Sequence, residues 1–236
     1  MQFTLNLSKK AAAIALAALL AVTLCGCQRP QANVAVDRLA LVNPWNPFPP
    51  GTPAGLVNIA DSVQCDNLML KNDAMQAQSE AAGALAQMAD AMAQDGIGPL
   101  RLVSAYRSIS YQQGLYQNKV QRVIASGTPE DDAEDAAARE VARPGYSEHH
   151  TGYAFDFSGA DGTLDSFYQS DAYQWVARHG SQYGFIIRYP EDKSDITGII
   201  YEPWHLRYVG PEAAQAMAQG GLCLEEYLLQ EQAAES

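Results

Sequence analysis

The chain has 236 residues, of which 27 are acidic and 15 are basic, so its formal net charge at pH 7 is −12. This acidic balance argues against nucleic acid as a partner, because phosphate backbones are bound mainly by lysine and arginine. The length is sufficient for one domain with a hydrophobic core, and we expect a monomer.

The N-terminus is typical of an exported bacterial lipoprotein. Lys9 and Lys10 precede an uncharged apolar run of fourteen residues, which is shorter than the roughly 20 residues that span a bilayer. The run ends in Leu24-Cys25-Gly26-Cys27, which resembles a lipobox. We therefore expect residues 1–26 to be a lipoprotein signal peptide, and Cys27 to carry the lipid that anchors the protein to the membrane of the cell envelope. An ordinary secretory signal is the alternative.

Residues 27–39 have no sustained period and predict a short tether, so the domain is predicted to span residues 40–236. Beyond Cys27 only Cys65 and Cys223 remain. Two otherwise unmatched thiols in an exported protein favour a disulfide between them, and two buried thiols are the alternative.

The domain is predicted to contain helices and short strands that do not alternate strictly. Residues 43–53 carry five prolines and predict an extended segment that wraps the domain. Helices are predicted at residues 73–95, 110–125, 132–141, 171–184, 211–219 and 222–230, and strands at residues 100–106, 153–157, 185–189 and after Pro203. This order favours an α+β fold with a small, mainly antiparallel sheet and helices packed around it.

One predicted strand, YAFDF at residues 153–157, places a carboxylate among aromatic residues. The aromatic side chains share one face, and Asp156 lies on the opposite face with Ala154. A buried carboxylate needs a cation or several donors. His149 lies seven residues earlier, and the glycines between and before them predict a turn that brings the imidazole back over Asp156.

A second cluster is YEPWHLRYVG at residues 201–210. Pro203 favours a bend that lets Glu202 and His205 converge. Two histidines and one aspartate leave a fourth coordination position open, which is typical of catalytic zinc. Glu202 is then the natural general base for a water at the metal. Each signal alone is weak, because a lone histidine is more often structural.

Four blocks together resemble the VanY-like zinc D-alanyl-D-alanine carboxypeptidases, which have the Hedgehog/DD-peptidase fold. SEHHTGYAFD resembles the family signature S-x-H-x-x-G-x-A-x-D, and YEPWHLRYVG resembles E-P-W-H-x-R-Y-V-G. SAYRSISYQ at residues 104–112 resembles S-x-Y-R-S-x-x-x-Q, and NPWNP fits the same order. The likeness covers nearly all of residues 40–230.

The resemblance implies one zinc ion per chain, with His149, Asp156 and His205 as ligands and Glu202 as catalytic base. It also implies that Arg107 contacts the substrate and the developing oxyanion, and that Gln112 and Ser147 line the substrate site. A guanidinium suits this role because it is always charged and offers five donors, although a structural ion pair is the alternative for Arg107. His150 departs from the family, in which we expect Gln in many members.

The implied function is removal of the C-terminal D-alanine from peptidoglycan stem peptides. An L,D-carboxypeptidase acting on tetrapeptide stems is a close alternative, because the motif residues do not report the shape of the pocket. A non-catalytic zinc module that binds the cell wall is a second alternative, but the base and all three ligands are present.

Overall fold

The computed structural model describes residues 33–236, so the predicted signal peptide, Cys27 and the first part of the predicted tether lie outside the described residues. The helices are α1 (Ile59–Ser62), α2 (Ser79–Gln94), α3 (Ile109–Ala125), α4 (Glu130–Ala138), α5 (Asp171–His179), α6 (Ser194–Thr197), α7 (Pro211–Gly220) and α8 (Leu224–Glu235). Three 3₁₀ segments lie at Glu148–Thr151, Asp165–Gln169 and Gly180–Tyr183. Across residues 33–236, no helix combines the length and the apolar character needed to cross a bilayer.

The strands are β1 (Asn33–Val34), β2 (Thr52–Pro53), β3 (Leu56–Asn58), β4 (Leu68–Leu70), β5 (Gln76–Gln78), β6 (Leu100–Ser104), β7 (Ala154–Ser158), β8 (Phe185–Ile187) and β9 (His205–Tyr208). The main sheet has the order β4-β6-β7-β9-β8, and all of its pairs are antiparallel except β4 with β6. The predicted α+β class with a mainly antiparallel sheet is therefore confirmed.

The core lies between the main sheet and α2. Leu85, Met88 and Met92 form the apolar stripe that was predicted from their spacing, and all three are fully buried. They belong to one hydrophobic cluster with Phe155 and Phe157 of β7. The helix begins later than predicted because the residues before it pair as β5 with β3.

The register of the main sheet fixes which side chains meet. Asp156 of β7 is paired directly with His205 of β9 on one side and with Ser104 of β6 on the other. Directly paired residues of antiparallel strands project to the same face, with Cβ atoms about 5 Å apart. The opposite face of β7 carries its aromatic residues into the core, so Asp156 projects away from the core, as predicted.

The predicted tether is too long at its C-terminal end. Residues 33–39 belong to the folded unit, because β1 pairs with β2 and Val36 packs on the core. Arg207, which is fully buried, donates through Nη2 to the carbonyl oxygens of Arg38 (2.8 Å) and Ala40 (2.9 Å). A buried guanidinium needs acceptors, and this segment supplies them.

The predicted disulfide between Cys65 and Cys223 is wrong in this structure, in which both thiols are free. Cys65 packs against the central cluster, and its thiol contacts the Asp90 carboxylate at 3.1 Å. Cys223 is buried and immediately precedes Leu224 in the chain. Leu224 belongs to a second hydrophobic cluster, which includes residues of α7. Burial raises the pKa of each thiol to about 11, so both are poorly reactive near neutral pH.

Candidate metal centre and its cavity

Three elements bring together the residues that were predicted to bind a metal. His149 lies in the first 3₁₀ segment, Asp156 in β7 and His205 in β9. One potential ligand atom from each residue lies within 4.8 Å of the other two, and all three residues are buried.

Gly152 turns the chain between the first two of these residues. Its φ is +77°, and a Cβ atom there would lie 2.6 Å from Leu56 Cδ2 and 3.3 Å from the backbone nitrogen of Gln78. A side chain at this position would therefore meet both a strained backbone and a filled space. The 3₁₀ segment ends at this glycine and the chain returns as β7, which is the turn predicted from the seven-residue spacing.

The hydrogen bonds of His149 determine which of its nitrogens can bind a metal. Nδ1 lies 2.7 Å from the carbonyl oxygen of Ala105, so Nδ1 carries the hydrogen and Nε2 carries a lone pair. Nε2 is buried, has no hydrogen-bond partner within the described chain and lies 3.1 Å from Asp156 Oδ2. A buried lone pair beside a carboxylate oxygen is the arrangement that a divalent cation satisfies.

The two imidazoles have pKa values displaced in opposite directions. Burial and the positive charge of Arg107 lower the pKa of His149 to about 4. Burial also opposes charge on His205, but its contacts with Asp156 and Glu148 outweigh burial and raise its pKa to about 9. His205 Nδ1 lies 3.0 Å from Asp156 Oδ1. Burial raises the pKa of the Asp156 carboxyl, but its contacts with His149, Arg107 and His205 outweigh burial and hold this pKa well below its usual value. The set of two nitrogens and one carboxylate oxygen fits zinc.

Glu202 lies beside this group but outside it. Its Oε2 is 3.8 Å from His205 Nδ1, and the backbone N–H of His205 donates to the Glu202 carbonyl at 3.1 Å. The turn around Pro203 therefore brings the two residues together, as predicted. Burial, with a smaller contribution from the charge of Asp156, raises the pKa of Glu202 to about 8. A carboxyl group with such a pKa can accept and return a proton near neutral pH.

Arg107 lies against Asp156 and is fixed by neighbours. It donates through Nε to Ser104 Oγ (2.7 Å), through Nη1 to Gln112 Oε1 (3.4 Å) and through Nη2 to Asp156 Oδ2. Arg107 therefore forms a structural ion pair, which was the alternative interpretation. Its guanidinium is also part of the wall of the cavity, as contact with a substrate requires.

Gln112 and Ser147 are both buried at the same wall. Gln112 donates through Nε2 to the carbonyl oxygen of Ala142 at 2.8 Å, and its Oε1 accepts from Arg107. Ser147 precedes the 3₁₀ segment, and its Oγ accepts from the backbone N–H of His149 at 3.4 Å. Each residue therefore also orients a neighbour.

The candidate site opens into a cavity of about 720 Å³. This volume lies within the roughly 300–1,000 Å³ range of small-molecule sites, so a short peptide end can enter. The wall includes the predicted metal ligands, the base and the three predicted substrate residues, together with side chains from α3 and Tyr189, Ile199 and Trp204.

His150 is bound to backbone groups and lies outside the group of potential metal ligands. Its Nδ1 lies 2.7 Å from the carbonyl oxygen of Arg107, and its Nε2 accepts from the backbone N–H of Gly145 at 3.1 Å. The ring therefore carries its hydrogen on Nδ1 and joins the loop of Arg107 to the turn before the 3₁₀ segment.

A cluster of buried charged residues lies behind the site and was not predicted from the sequence. Its members are Glu148, Arg188, Arg207 and Glu225. Glu148 stands beside a predicted ligand, and Arg207 stands two residues after His205 on the same face of β9. The sequence signal was present in these two positions, but charged residues are usually exposed, so burial could not be inferred from it.

Comparison with known proteins identifies the family. The family model described as VanY, D-alanyl-D-alanine carboxypeptidase, matches residues 74–211. The chain belongs to the VanY family. The matched span contains all of the predicted metal, catalytic and substrate-binding residues and three of the four motifs, whereas NPWNP precedes it. The predicted resemblance to the family is confirmed.

Relatives of the VanY family resemble the chain in sequence and fold. A D-alanyl-D-alanine carboxypeptidase of Enterococcus faecalis is 43% identical over 144 residues, which are 61% of this chain and 52% of the relative. A mutant of the vancomycin resistance D,D-pentapeptidase VanY, solved in complex with Zn(II), is 35% identical with a TM-score of 0.65 and covers 81% of this chain and 98% of its own. The LD-carboxypeptidase LdcB is 36% identical with a TM-score of 0.67, covering 84% and 93%. The chain spans about half the length of the curated relatives it matches.

The first prediction concerns His150, because it satisfies two buried backbone groups. Replacing it with Leu removes both hydrogen bonds, and each unsatisfied group costs about 1–3 kcal/mol. The His150→Gln variant keeps an acceptor and a donor and should lose less stability. Urea unfolding of the two variants measures the difference, and equal losses would contradict the bonding described for this ring.

Proposed function

We propose that this protein is a zinc-dependent D-alanyl-D-alanine carboxypeptidase that removes the C-terminal D-alanine from peptidoglycan stem peptides. One observation carries the proposal: ligand atoms of His149, Asp156 and His205 lie within 4.8 Å of one another, beside Glu202, on the wall of a cavity that can take a peptide end. Membership of the VanY family supports the same chemistry.

In this proposal His149, Asp156 and His205 hold the zinc ion, which leaves a coordination position open toward the cavity. Zinc at such a site supplies a Lewis acid that polarises the scissile carbonyl and lowers the pKa of a coordinated water to about 7. The relative solved with Zn(II) supports the identity of the metal. His149 presents Nε2 because its Nδ1 hydrogen is bonded to Ala105.

Glu202 is proposed to move the proton. It takes a proton from the attacking water and passes it to the amine of the leaving D-alanine, so no covalent acyl-enzyme is required. Its burial supports this role, because a desolvated carboxylate with a raised pKa binds a proton readily near neutral pH.

Arg107 is proposed to bind negative charge on the substrate. The guanidinium is a positively charged group with several donors, and it lies on the wall shared with the metal ligands. It is therefore suited to stabilise the carbonyl oxygen as that oxygen becomes negative. Gln112 holds the guanidinium from one side, and Ser147 lines the same wall.

A D,D-carboxypeptidase and an L,D-carboxypeptidase share this machinery and differ in the residue before the cut. The E. faecalis relative and the D,D-pentapeptidase support the first activity, whereas LdcB supports the second. We propose D,D activity as the main one. L,D activity is the second candidate.

We also propose that the protein acts in the bacterial cell envelope, anchored to the membrane by a lipid on Cys27. The apolar run and the Leu24-Cys25-Gly26-Cys27 sequence support this, although they precede the described residues. An anchored enzyme would meet stem peptides at the membrane surface.

The second prediction separates the metal from the proton transfer. His205→Ala removes a ligand, so zinc content and activity should fall together. Glu202→Gln keeps the three ligands and should retain about one zinc per chain while losing about 10²- to 10⁴-fold in kcat. Metal analysis and D-alanine release measure the two effects. A Gln variant with near-full activity would require a different base, and a wild-type protein that binds zinc without hydrolysis would favour the non-catalytic module.

The third prediction concerns the substrate. Release of D-alanine should be faster from a pentapeptide stem ending in D-Ala-D-Ala than from the corresponding tetrapeptide, compared as kcat/KM on the same enzyme preparation. The Glu202→Gln variant serves as the blank for both peptides. Preference for the tetrapeptide would identify an L,D-carboxypeptidase instead.

The fourth prediction concerns location. Cys27→Ser should abolish incorporation of a labelled fatty acid and release the protein from the membrane fraction, because acyl chains provide most of the membrane affinity. Cys25→Ser is the matched control and should remain lipidated. A Cys27→Ser protein that stays wholly membrane-bound would contradict the lipid anchor.

A further inference from the structure

A buried ion cluster lies directly behind His205. It consists of two carboxylates and two guanidinium groups, so its formal charges cancel. Arg188 and Arg207 are fully buried, Glu148 is 1% exposed and Glu225 is 8% exposed. Arg188 donates through Nη1 and Nη2 to the two oxygens of Glu225, at 2.9 and 2.7 Å. A bidentate pair of this kind fixes the orientation of both groups.

The two oxygens of Glu148 have different partners. Oε1 accepts from Arg188 Nε at 2.7 Å and lies 2.8 Å from Arg207 Nη1. Oε2 lies 3.5 Å from His205 Nε2. Both Oε2 and Nε2 are buried, and neither has a hydrogen-bond partner at normal geometry within the described chain. The two unsatisfied atoms therefore face each other.

The chemistry of the imidazole assigns the hydrogen between them. His205 Nδ1 is directed at Asp156, on the side of the proposed metal. When Nδ1 supplies a lone pair to a metal, the only hydrogen of the neutral ring is on Nε2. That hydrogen points at Glu148 Oε2, and a small shift of either side chain completes the bond. Buried polar atoms are rarely left unpaired, which favours this closure.

We propose that Glu148 is a positioning residue that holds His205 in the tautomer whose Nδ1 binds the metal. Arg188 and Arg207 hold Glu148 through its other oxygen. Their effect on the metal is therefore indirect, through Glu148 and then His205. This inference rests on the proposed ligation of zinc by His205. A carboxylate behind a ligating histidine orients the ring and increases its basicity.

The sheet explains why this arrangement forms. His205 and Arg207 are two residues apart in β9, so both project to the face that meets the 3₁₀ segment carrying Glu148. Arg188 follows β8, and its backbone N–H donates to the carbonyl of His205 at 3.1 Å. Glu225 comes from the first turn of α8. The C-terminal helix thereby contacts the support of the metal site.

The test replaces Glu148 with Gln. The carboxamide will direct its oxygen to the two guanidinium groups, so its NH₂ group faces His205 Nε2. A donor then faces a donor, which favours the other tautomer of His205 and places the hydrogen on the metal-binding nitrogen. We expect zinc affinity to fall about 10- to 100-fold, measured by competition with a chromophoric chelator. Nitrogen chemical shifts of the His205 ring report the tautomer directly, both in the zinc-bound protein and in the zinc-free protein above the His205 pKa of about 9, where the ring is neutral.

Two further variants separate positioning from folding. Glu225→Gln removes the same charge from the same cluster but has no contact with His205 in the structure, so its zinc affinity should stay within about twofold of wild type even if its melting temperature falls. Glu148→Asp keeps the carboxylate and should bind zinc more tightly than Glu148→Gln. Circular dichroism establishes that each variant is folded before titration.

The outcomes distinguish the inference from the proposed function. If Glu148→Gln folds and binds zinc like wild type while His205→Ala does not, Glu148 has no positioning role and the metal site stands. If Glu225→Gln weakens zinc as much as Glu148→Gln, the effect belongs to the charge of the cluster, and the inference is also overturned. If His205→Ala binds zinc like wild type, the proposed ligation itself is wrong. If Glu148→Gln does not fold, Glu148→Asp is used instead. The nitrogen chemical shifts of the His205 ring in that variant must then match those of the wild type.

Discussion

The direct pairing of Asp156 with His205 across β7 and β9 is the constraint around which the rest of the site is organised. A desolvated carboxylate is unstable unless positive charge or donors surround it. The register supplies an imidazole on one side, and Arg107, which follows β6, supplies a guanidinium on the other. The turn at Gly152 adds His149. A shift of β9 by one residue would place His205 in the core and remove this arrangement.

The site is built in two electrostatic layers with different degrees of closure. The rear layer is balanced by its own carboxylates and guanidinium groups and leaves only Glu148 Oε2 and Arg207 Nη1 without hydrogen-bond partners at normal geometry among the described residues. The front layer brings two imidazole nitrogens and one carboxylate oxygen together beside the cavity, and this set fits a cation. Because protein interiors rearrange only at a cost, the closed rear layer can hold the open front layer in the geometry that a metal needs.

The assignment of donors follows from backbone groups as much as from side chains. The carbonyl of Ala105 fixes the tautomer of His149, and the carbonyl of Arg107 fixes that of His150. The adjacent residues His149 and His150 therefore differ in the bonding of their ring nitrogens. One is left with a lone pair toward Asp156, whereas both nitrogens of the other are used in hydrogen bonds with the main chain.

The sequence by itself determined the fold class, the apolar stripe of α2 and the turn at Gly152, because these depend on local periodicity and on spacing within single motifs. The candidate ligands, which lie in two separate motifs, were implied by the resemblance of those motifs to the VanY family. The sequence did not determine the pairing of β3 with β5, the docking of residues 33–39 or the separation of Cys65 from Cys223, since these depend on contacts between distant segments. The support of His205 by Glu148 and two arginines was also decided only by the tertiary structure. A buried charged side chain is stable only when it contacts groups of opposite charge, and here those groups lie on other secondary-structure elements. The sequence shows which residues are charged, but not which of them pair in the fold.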